Sequence, residues 1–556
     1  MNNSNPIKIQ LIIILLAALA FIPFLGRVHL FDWDEINFAE AAREMIVTKD
    51  YLTVQINFQS FWEKPPLFIW MQVLSMKLFG INEFAARFPN AVCGIVTLLV
   101  VFNIGRKLRD NQFGIYWVLA YAGALLPFFY FKSGIIDPWF NLFIFLGTYY
   151  LMLYSFPENR QKFRNIILSA VFTGFAFLTK GPVGFLVSAL TAGVYLLMIK
   201  FRVKVRLAEV VCYFTILIII GGSWFIIQIL HGNFETIKEF IVYQIRLFST
   251  EDVGHDGFPG YHFIVLFFGA FPTSVIALKS FKKEVFDEPV FSLMKKWMMI
   301  LFWVVLILFS IVQTKIIHYS SLAYFPLTFL AANSVYQIKQ GKQTWSRWQT
   351  ILIVTISAIV AILFITVPFI DKFKSYIIQK NIIRDPFALG NLQASGGWNG
   401  YEFLPGLFFL IAVVFVHILL NKQKIMKRVI TLWVLVVLLT FSVMFAIVPK
   451  VEKYTQGALI EYLQSLQGKD VYIKQIYFRS YATYFYGRTQ PPENKNYYDQ
   501  SWLLSGDIDK DVYFATKAYR SKGLDGFPQM EEIGIKNGYA FYVRRAKKDT
   551  ENPASE

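Results

Sequence analysis

Cysteine is nearly absent from this chain: it has two among 556 residues, Cys93 and Cys212, both inside apolar runs. That leaves no basis for a disulfide framework or a thiolate metal site. Charge is scarce too, at 16% of residues against a hydrophobic share of 56%, a balance that excludes a soluble α/β enzyme of this length. Neither a strict repeat nor a low-complexity linker is present, so nothing indicates a solenoid or a string of tethered soluble domains.

What is present is apolar and comes in blocks. Thirteen runs near twenty residues long extend from 9–26 to 429–448, among them 112–131, 207–230, 260–280 and 316–336. A helix of that length crosses the roughly 30 Å hydrocarbon layer. The expected fold is therefore an all-α polytopic membrane protein of about thirteen spans. Lys8 ahead of the first run gives it the look of a signal sequence, but the spans behind it favour a retained anchor.

A net charge of +17 invites a nucleic-acid reading, and the placement of that charge argues against it. Lys and Arg gather in alternate loops, for example Arg106, Lys107 and Arg109, then Lys200, Arg202, Lys204 and Arg206, and later Lys422, Lys424, Lys427 and Arg428. This is the positive-inside pattern of a protein in the cytoplasmic membrane. The intervening segments 27–87, 231–259, 371–400 and everything after about 449 are then expected on the periplasmic or exterior side.

DWDEINFAEAAREM, residues 32–45, opens the first of these outer segments. Ile36, Ala39, Met45 and Ile46 fall at helical spacing opposite Glu40, Arg43 and Glu44, which predicts an amphipathic helix along the interface. PPLFIWMQVLSMKLFG follows as a second surface helix that begins at a Pro pair. In the tail, YTQGALIEYLQSL has helical periodicity, DVYIKQIYF and DVYFATKA read as strands, and IGIKNGYAFYVRR as a hairpin turning at Asn537-Gly538. The expected organisation is a membrane domain over 1–448, with catalytic residues in the loop 27–87, and a small outer α/β domain over 449–556.

Ionisable residues cluster at the outer ends of the spans: Asp34, Glu35, Glu63, Lys64, Asp137, Lys180, Arg246, His255, Lys315, His318 and Tyr319. Each has a plain reading. Asp34 and Glu35 can cap the surface helix, Asp137 before Pro138 can cap a span, and Lys180 and Lys315 can snorkel. Together they suit a reaction that needs a base and stabilises an anionic leaving group. Lipid-linked sugars are such substrates, because no nucleotide sugar is available outside the cell; no nucleotide cofactor is expected.

DE at 34–35 followed by AEAAREM, then FWEKPPLFIWMQVLSMKLFG, NEFAARFPNA, GIIDPWFN, FLTKGPVGF, QIRLFS and TKIIHYSSLAYFP, resembles the polyprenyl-phosphate-dependent glycosyltransferases of the GT-C class. The resemblance covers residues 30–330 and leans towards the aminoarabinose transferases that modify lipid A, with the protein mannosyltransferases as relatives. It implies a catalytic role for Asp34 and Asp137, with Glu35 beside them, and a donor-phosphate pocket of Lys64, Arg246, Lys180, Lys315, Tyr319 and His318. It associates Glu63 with a divalent metal such as zinc, and His255 is a candidate second ligand. Phe38 stands where a Tyr is common in the class. The implied partners are a polyprenyl-phosphate sugar donor and a lipid, glycan or protein acceptor.

Two rivals remain at this stage. O-glycosylation of a protein would use the same chemistry. A transporter or flippase would place ionisable groups near the midplane, often at broken helices, whereas here they sit at the outer ends of spans that are almost free of charge.

Overall fold

In the computed structural model, residues 5–249, 257–283, 286, 288–419 and 425–547 are described, and most of them are helical. The first half contains α1 (Pro6–Phe21), α2 (Asp34–Thr48), α3 (Leu67–Phe79), α4 (Glu83–Leu108), α5 (Asn111–Ala122), α6 (Leu125–Tyr130), α7 (Asp137–Ser155), α8 (Lys162–Lys180) and α9 (Val183–Met198). Local signals set several boundaries. Asn5 caps α1 ahead of Pro6, Asn82 caps α4 through the Ala85 N–H, and Asp110 caps α5 through Phe113 N–H.

Among the described residues, four helices are long and apolar enough to cross a membrane unaided: Glu83–Leu108, Pro289–Ile311, Arg347–Gln379 and Ile425–Tyr454. Two bent pairs raise the number to six, Leu207–Gly221 with Ser223–Leu230 at 58°, and Tyr261–Gly269 with Thr273–Phe281 at 102°. The thirteen apolar runs of the sequence are therefore not thirteen uninterrupted spans. Run 112–131 breaks between α5 and α6, where a Cβ on Gly123 would come within 2.6 Å of the Trp433 Cβ. Run 260–280 turns sharply at Pro272, and helix within run 316–336 begins in earnest only at Tyr324. Hydropathy reads a polar-free stretch as continuous, whereas Gly and Pro decide whether its backbone is.

A second correction concerns α2. Its Glu40, Arg43 and Glu44 were expected to face water, yet all three are buried. Arg43 donates twice to Glu40 at 2.7 Å. Glu44 accepts the Asn57 and Phe58 N–H groups at 2.6 and 2.8 Å, tying down the small hairpin of β1 (Gln55–Ile56) and β2 (Gln59–Ser60). The polar face is covered because the hairpin and the tail lie over it; Tyr497 and Tyr498 bond Asn57 at 3.1 and 3.2 Å.

The tail forms a four-stranded sheet of β3 (Tyr472–Gln475), β4 (Val512–Lys517), β5 (Glu531–Lys536) and β6 (Tyr539–Arg544), in the order β3-β4-β6-β5. β3 and β4 run parallel, and the other pairs are antiparallel. Asn537, at φ 54°, turns the last hairpin. One face of the sheet carries a core of the tail's own, with Val512, Phe514, Leu503 and Ala540, and a second cluster is shared. Ala458, Leu459, Phe485 and Phe541 share one apolar cluster with Leu30, Ile36, Phe38 and Phe68 of the first loop. His29 meets Glu452 at 2.7 Å, and the Tyr486 hydroxyl oxygen accepts the Leu30 N–H at 2.6 Å.

Candidate active site

Four chain segments, the start of α2 with Asp34 among them, deliver acidic and basic groups to one place. α7 begins at Asp137 with Pro138 in its first turn, which puts a buried carboxylate at the positive end of a helix. α8 runs antiparallel and ends at Lys180, a cation at the negative end. Gly181 stops it at φ 86°, where a Cβ would lie 2.7 Å from the Phe240 ring. Lys180 Nζ and Asp137 Oδ1 then meet at 2.7 Å. His318 comes from the turn after helix Pro289–Ile311; its Nε2 is 3.3 Å from Asp34 Oδ2 and 3.6 Å from Asp137 Oδ2.

The two aspartates differ in access. The Asp34 side chain is 32% exposed and the Asp137 side chain 4%. Asp34 can therefore meet a ligand arriving from outside, while Asp137 holds Lys180 and His318 in place. Lys64, Asp137, Lys180 and Tyr319 line the polar end of a narrow cavity of about 60 Å³, and Phe140 and Val187 are among the apolar residues of its wall. Lys180 lies over the Tyr319 ring at 5.2 Å and Lys64 over the Tyr243 ring at 5.0 Å. Burial lowers the Lys64 pKa from its ordinary value, with the Glu63 charge opposing and Lys180 reinforcing that shift. An anion entering beside Lys64 and Lys180 would relieve their mutual repulsion.

Glu35 and Lys315, also singled out from the sequence, are engaged elsewhere, while Arg246 stands by the ring that Lys64 covers. Glu35 is locked to Arg87, whose Nε and second terminal nitrogen donate at 2.9 and 2.8 Å. Its carboxylate also accepts the Phe31 and Gly134 N–H groups, so it fastens the first loop to α4 and the segment before α7 rather than facing the cavity. Burial alone would raise the Glu35 pKa, but the Arg87 charge and these hydrogen bonds prevail and hold it below the ordinary value. Lys315 donates to the carbonyls of Phe309, Ser310 and Val312, capping the end of helix Pro289–Ile311. Arg246 sits beside Tyr243, with its guanidinium carbon 5.3 Å from the ring centroid.

Of the two residues assigned to a metal, Glu63 accepts the Tyr243 hydroxyl at 3.2 Å, while His255 lies outside the described residues. A lone carboxylate suits one ligand of a divalent ion, and among the described residues no three His, Cys, Asp or Glu side chains stand together as a metal set.

Sequence reasoning passed over Tyr243 and Tyr481. Tyr243 is three residues before Arg246 on helix Phe234–Ser249, a spacing that brings both to one helix face. Tyr481 belongs to the tail, yet its ring packs against Trp33 at 4.7 Å and Phe61 at 6.3 Å, directly beside the Asp34 loop. No local signal could have announced that long-range contact.

Known proteins resemble this chain in sequence and in fold. The family model for dolichyl-phosphate-mannose-protein mannosyltransferase matches residues 63–224. An undecaprenyl phosphate-alpha-4-amino-4-deoxy-L-arabinose arabinosyl transferase of Proteus mirabilis is 26% identical over 327 residues, covering 57% of this chain and 58% of that protein. Its counterpart in Photorhabdus laumondii is 26% identical over 336 residues, covering 58% of each. The match thus spans little more than half the length of these relatives. The crystal structure of ArnT from Cupriavidus metallidurans bound to undecaprenyl phosphate shares the fold, with a TM-score of 0.74 at 16% identity over 98% of this chain and 99% of that one. The apo form of the same protein gives a TM-score of 0.75. Family model, relatives and fold converge, and this chain resembles the polyprenyl-phosphate-dependent glycosyltransferases of the GT-C class, in particular the lipid A aminoarabinose transferases.

Proposed function

We propose that this chain is an integral membrane glycosyltransferase that moves a sugar from a polyprenyl phosphate to a lipid acceptor of the lipid A kind, at the outer face of the cytoplasmic membrane. The observation that carries this reading is the Asp34–His318–Asp137–Lys180 array at the polar end of an apolar cavity that Lys64 also lines. A polyprenyl phosphate has the same division, a charged head on a hydrocarbon chain. The relatives' names supply the substrates, 4-amino-4-deoxy-L-arabinose carried on undecaprenyl phosphate.

In this mechanism an acceptor oxygen attacks the anomeric carbon from the side opposite the phosphate. The carbon–oxygen bond to phosphate breaks with its electron pair on the leaving oxygen, and one displacement inverts the configuration. Asp34 takes the acceptor's proton or orients its hydroxyl, and His318 keeps the Asp34 carboxylate aimed. Lys64, Lys180 and Arg246 neutralise the departing phosphate in a site with restricted access to water, where such contacts are strong. Outer-face orientation rests on the alternating basic loops. A divalent ion at Glu63, with His255 as second ligand, is part of the proposal; metal analysis before and after Glu63→Ala tests it, and equal, negligible metal in both forms overturns it.

The deciding experiment is transfer of labelled aminoarabinose from undecaprenyl phosphate to lipid A by the purified, reconstituted chain. Product from the wild type and a loss of about a hundredfold or more in Asp34→Asn supports the reading. Transfer to a protein hydroxyl instead of lipid A would replace the acceptor, and absence of transfer from any polyprenyl-phosphate sugar would remove the enzyme class.

A further inference from the structure

A second cavity, of about 630 Å³, lies at the ends of α7, α8 and α9 remote from the aspartates. Lys162, Lys200, Arg202 and Lys204 line it, together with Ser155 and Tyr195, and no acidic side chain is in its wall. The helices themselves set its distance from the site. α7 leads from Asp137 in the site to Ser155 in this pocket, and α8 returns from Lys162 to Lys180. Eighteen residue steps along either helix amount to about 27 Å, close to the thickness of a bilayer's hydrocarbon layer. The pocket therefore belongs to the opposite membrane surface.

A bias of cations towards one side places Lys and Arg in this loop without requiring them to line a concavity. Three further observations say that the pocket is built. Lys200 and Phe201 are consecutive non-glycine residues with φ near 54°, a left-handed turn that such residues rarely adopt. The turn is closed by Phe201 N–H bonding the Leu196 carbonyl at 2.8 Å. Glu209, the acid on the neighbouring helix, is held by the Tyr154 hydroxyl at 2.8 Å and the Arg206 N–H at 2.9 Å; of the pocket's cations it feels the charge of Lys162, and it is not itself in the wall with Lys200, Arg202 and Lys204. Finally, Met198 in the wall is 59% exposed; Leu197 and Phe201, next in sequence to lining residues, are 65% exposed each, and Leu207, three residues beyond Lys204, is 78% exposed. A soluble anion has no use for that apolar skirt, whereas an anionic lipid does.

We propose that this pocket holds the phosphate-bearing headgroup of an anionic glycerophospholipid, whose acyl chains lie on Leu197, Phe201 and Leu207. Basic pockets between membrane helices take such headgroups by charge attraction at the bilayer surface. The bound lipid joins the ends of α7, α8 and α9, the helices that carry Asp137 and Lys180 at their other ends.

The test uses the detergent-purified full chain with phosphatidylglycerol, phosphatidylcholine or inorganic phosphate, read by native mass spectrometry and by the thermal midpoint. Phosphatidylglycerol is expected to bind and raise the midpoint, while the other two leave it unchanged. The triple variant Lys200→Gln, Arg202→Gln, Lys204→Gln should weaken phosphatidylglycerol binding about a hundredfold, the scale of three cations lost near an anionic lipid. Lys162→Gln, on a different helix, should weaken it about fivefold and serves if the triple variant does not fold. An equal midpoint shift with phosphatidylcholine, the same shift with inorganic phosphate, or unchanged lipid binding in both variants overturns the proposal.

Discussion

The imidazole Nε2 of His318 stands 3.3 Å from an Asp34 oxygen and 3.6 Å from an Asp137 oxygen, so one ring links the first loop to the start of α7. The more exposed carboxylate is thereby positioned by the more buried one. Asp34→Asn should keep this geometry and donor affinity while sugar transfer falls roughly a hundredfold or more, the scale of a lost, positioned base. Parallel measurements of donor binding and turnover check it. Full transfer by Asp34→Asn would reduce the residue to a helix cap.

Lys64 should behave differently. It lines the cavity, and burial lowers its pKa against the pull of Glu63, so an anion beside it would favour its charged form. Lys64→Ala should weaken donor binding itself as well as turnover, because a charge-assisted contact to phosphate is lost in both the ground and the transition state. A donor affinity equal to wild type would place the phosphate elsewhere.

Glu35 tests the separation of structural from chemical acids. Removing its charge leaves Arg87 buried without its carboxylate, so Glu35→Gln should cost about 3–5 kcal/mol of stability. The acid dependence has a definite sign. Because the folded-state pKa is lowered, the pair's contribution is complete above the ordinary carboxylate range and is lost as pH falls through the lowered value. Thermal midpoints between neutral and acid pH should show this loss in the wild type and a flatter profile in Glu35→Gln.

Glu44 should show the opposite slope. Burial first, and the neighbouring Glu40 charge second, push its pKa up to about 9. A raised folded-state value means that stability is fully present below the ordinary pKa of 4.5 and is lost as pH rises through about 9. The midpoint of the wild type should fall between neutral pH and about 9, and Glu44→Gln, which carries no titrating proton, should lack that limb. Identical alkaline profiles would mean that the carboxyl is already ionised in the folded protein.

Periodicity and turn chemistry made a good part of this molecule legible. The helix at 34–48, the strands around Tyr472 and Val512 and the Asn537-Gly538 hairpin follow from local sequence signals. Asp34, Asp137, Lys64, Lys180 and His318 could be picked out as ionisable groups at apolar-run ends, and they gather around one cavity mouth. Glu35 and Lys315 could not be separated from them, because the partners that engage them, Arg87 and the Pro289–Ile311 carbonyls, depend on packing and chain direction. The buried Glu40–Arg43–Glu44 group was concealed for a related reason: its helix looks solvent-facing until a hairpin and the distant tail cover it.

Tyr481 packing on Trp33 has a consequence for engineering this protein. The tail shares an apolar cluster with the first loop and reaches the residue next to Asp34, so the two cannot be inherited as independent cassettes. A chimera that exchanges the tail alone would bring a foreign surface against the first loop, whereas exchanging residues 27–87 together with the tail preserves the joint. Two distant segments of sequence would then have to be exchanged as one inherited unit.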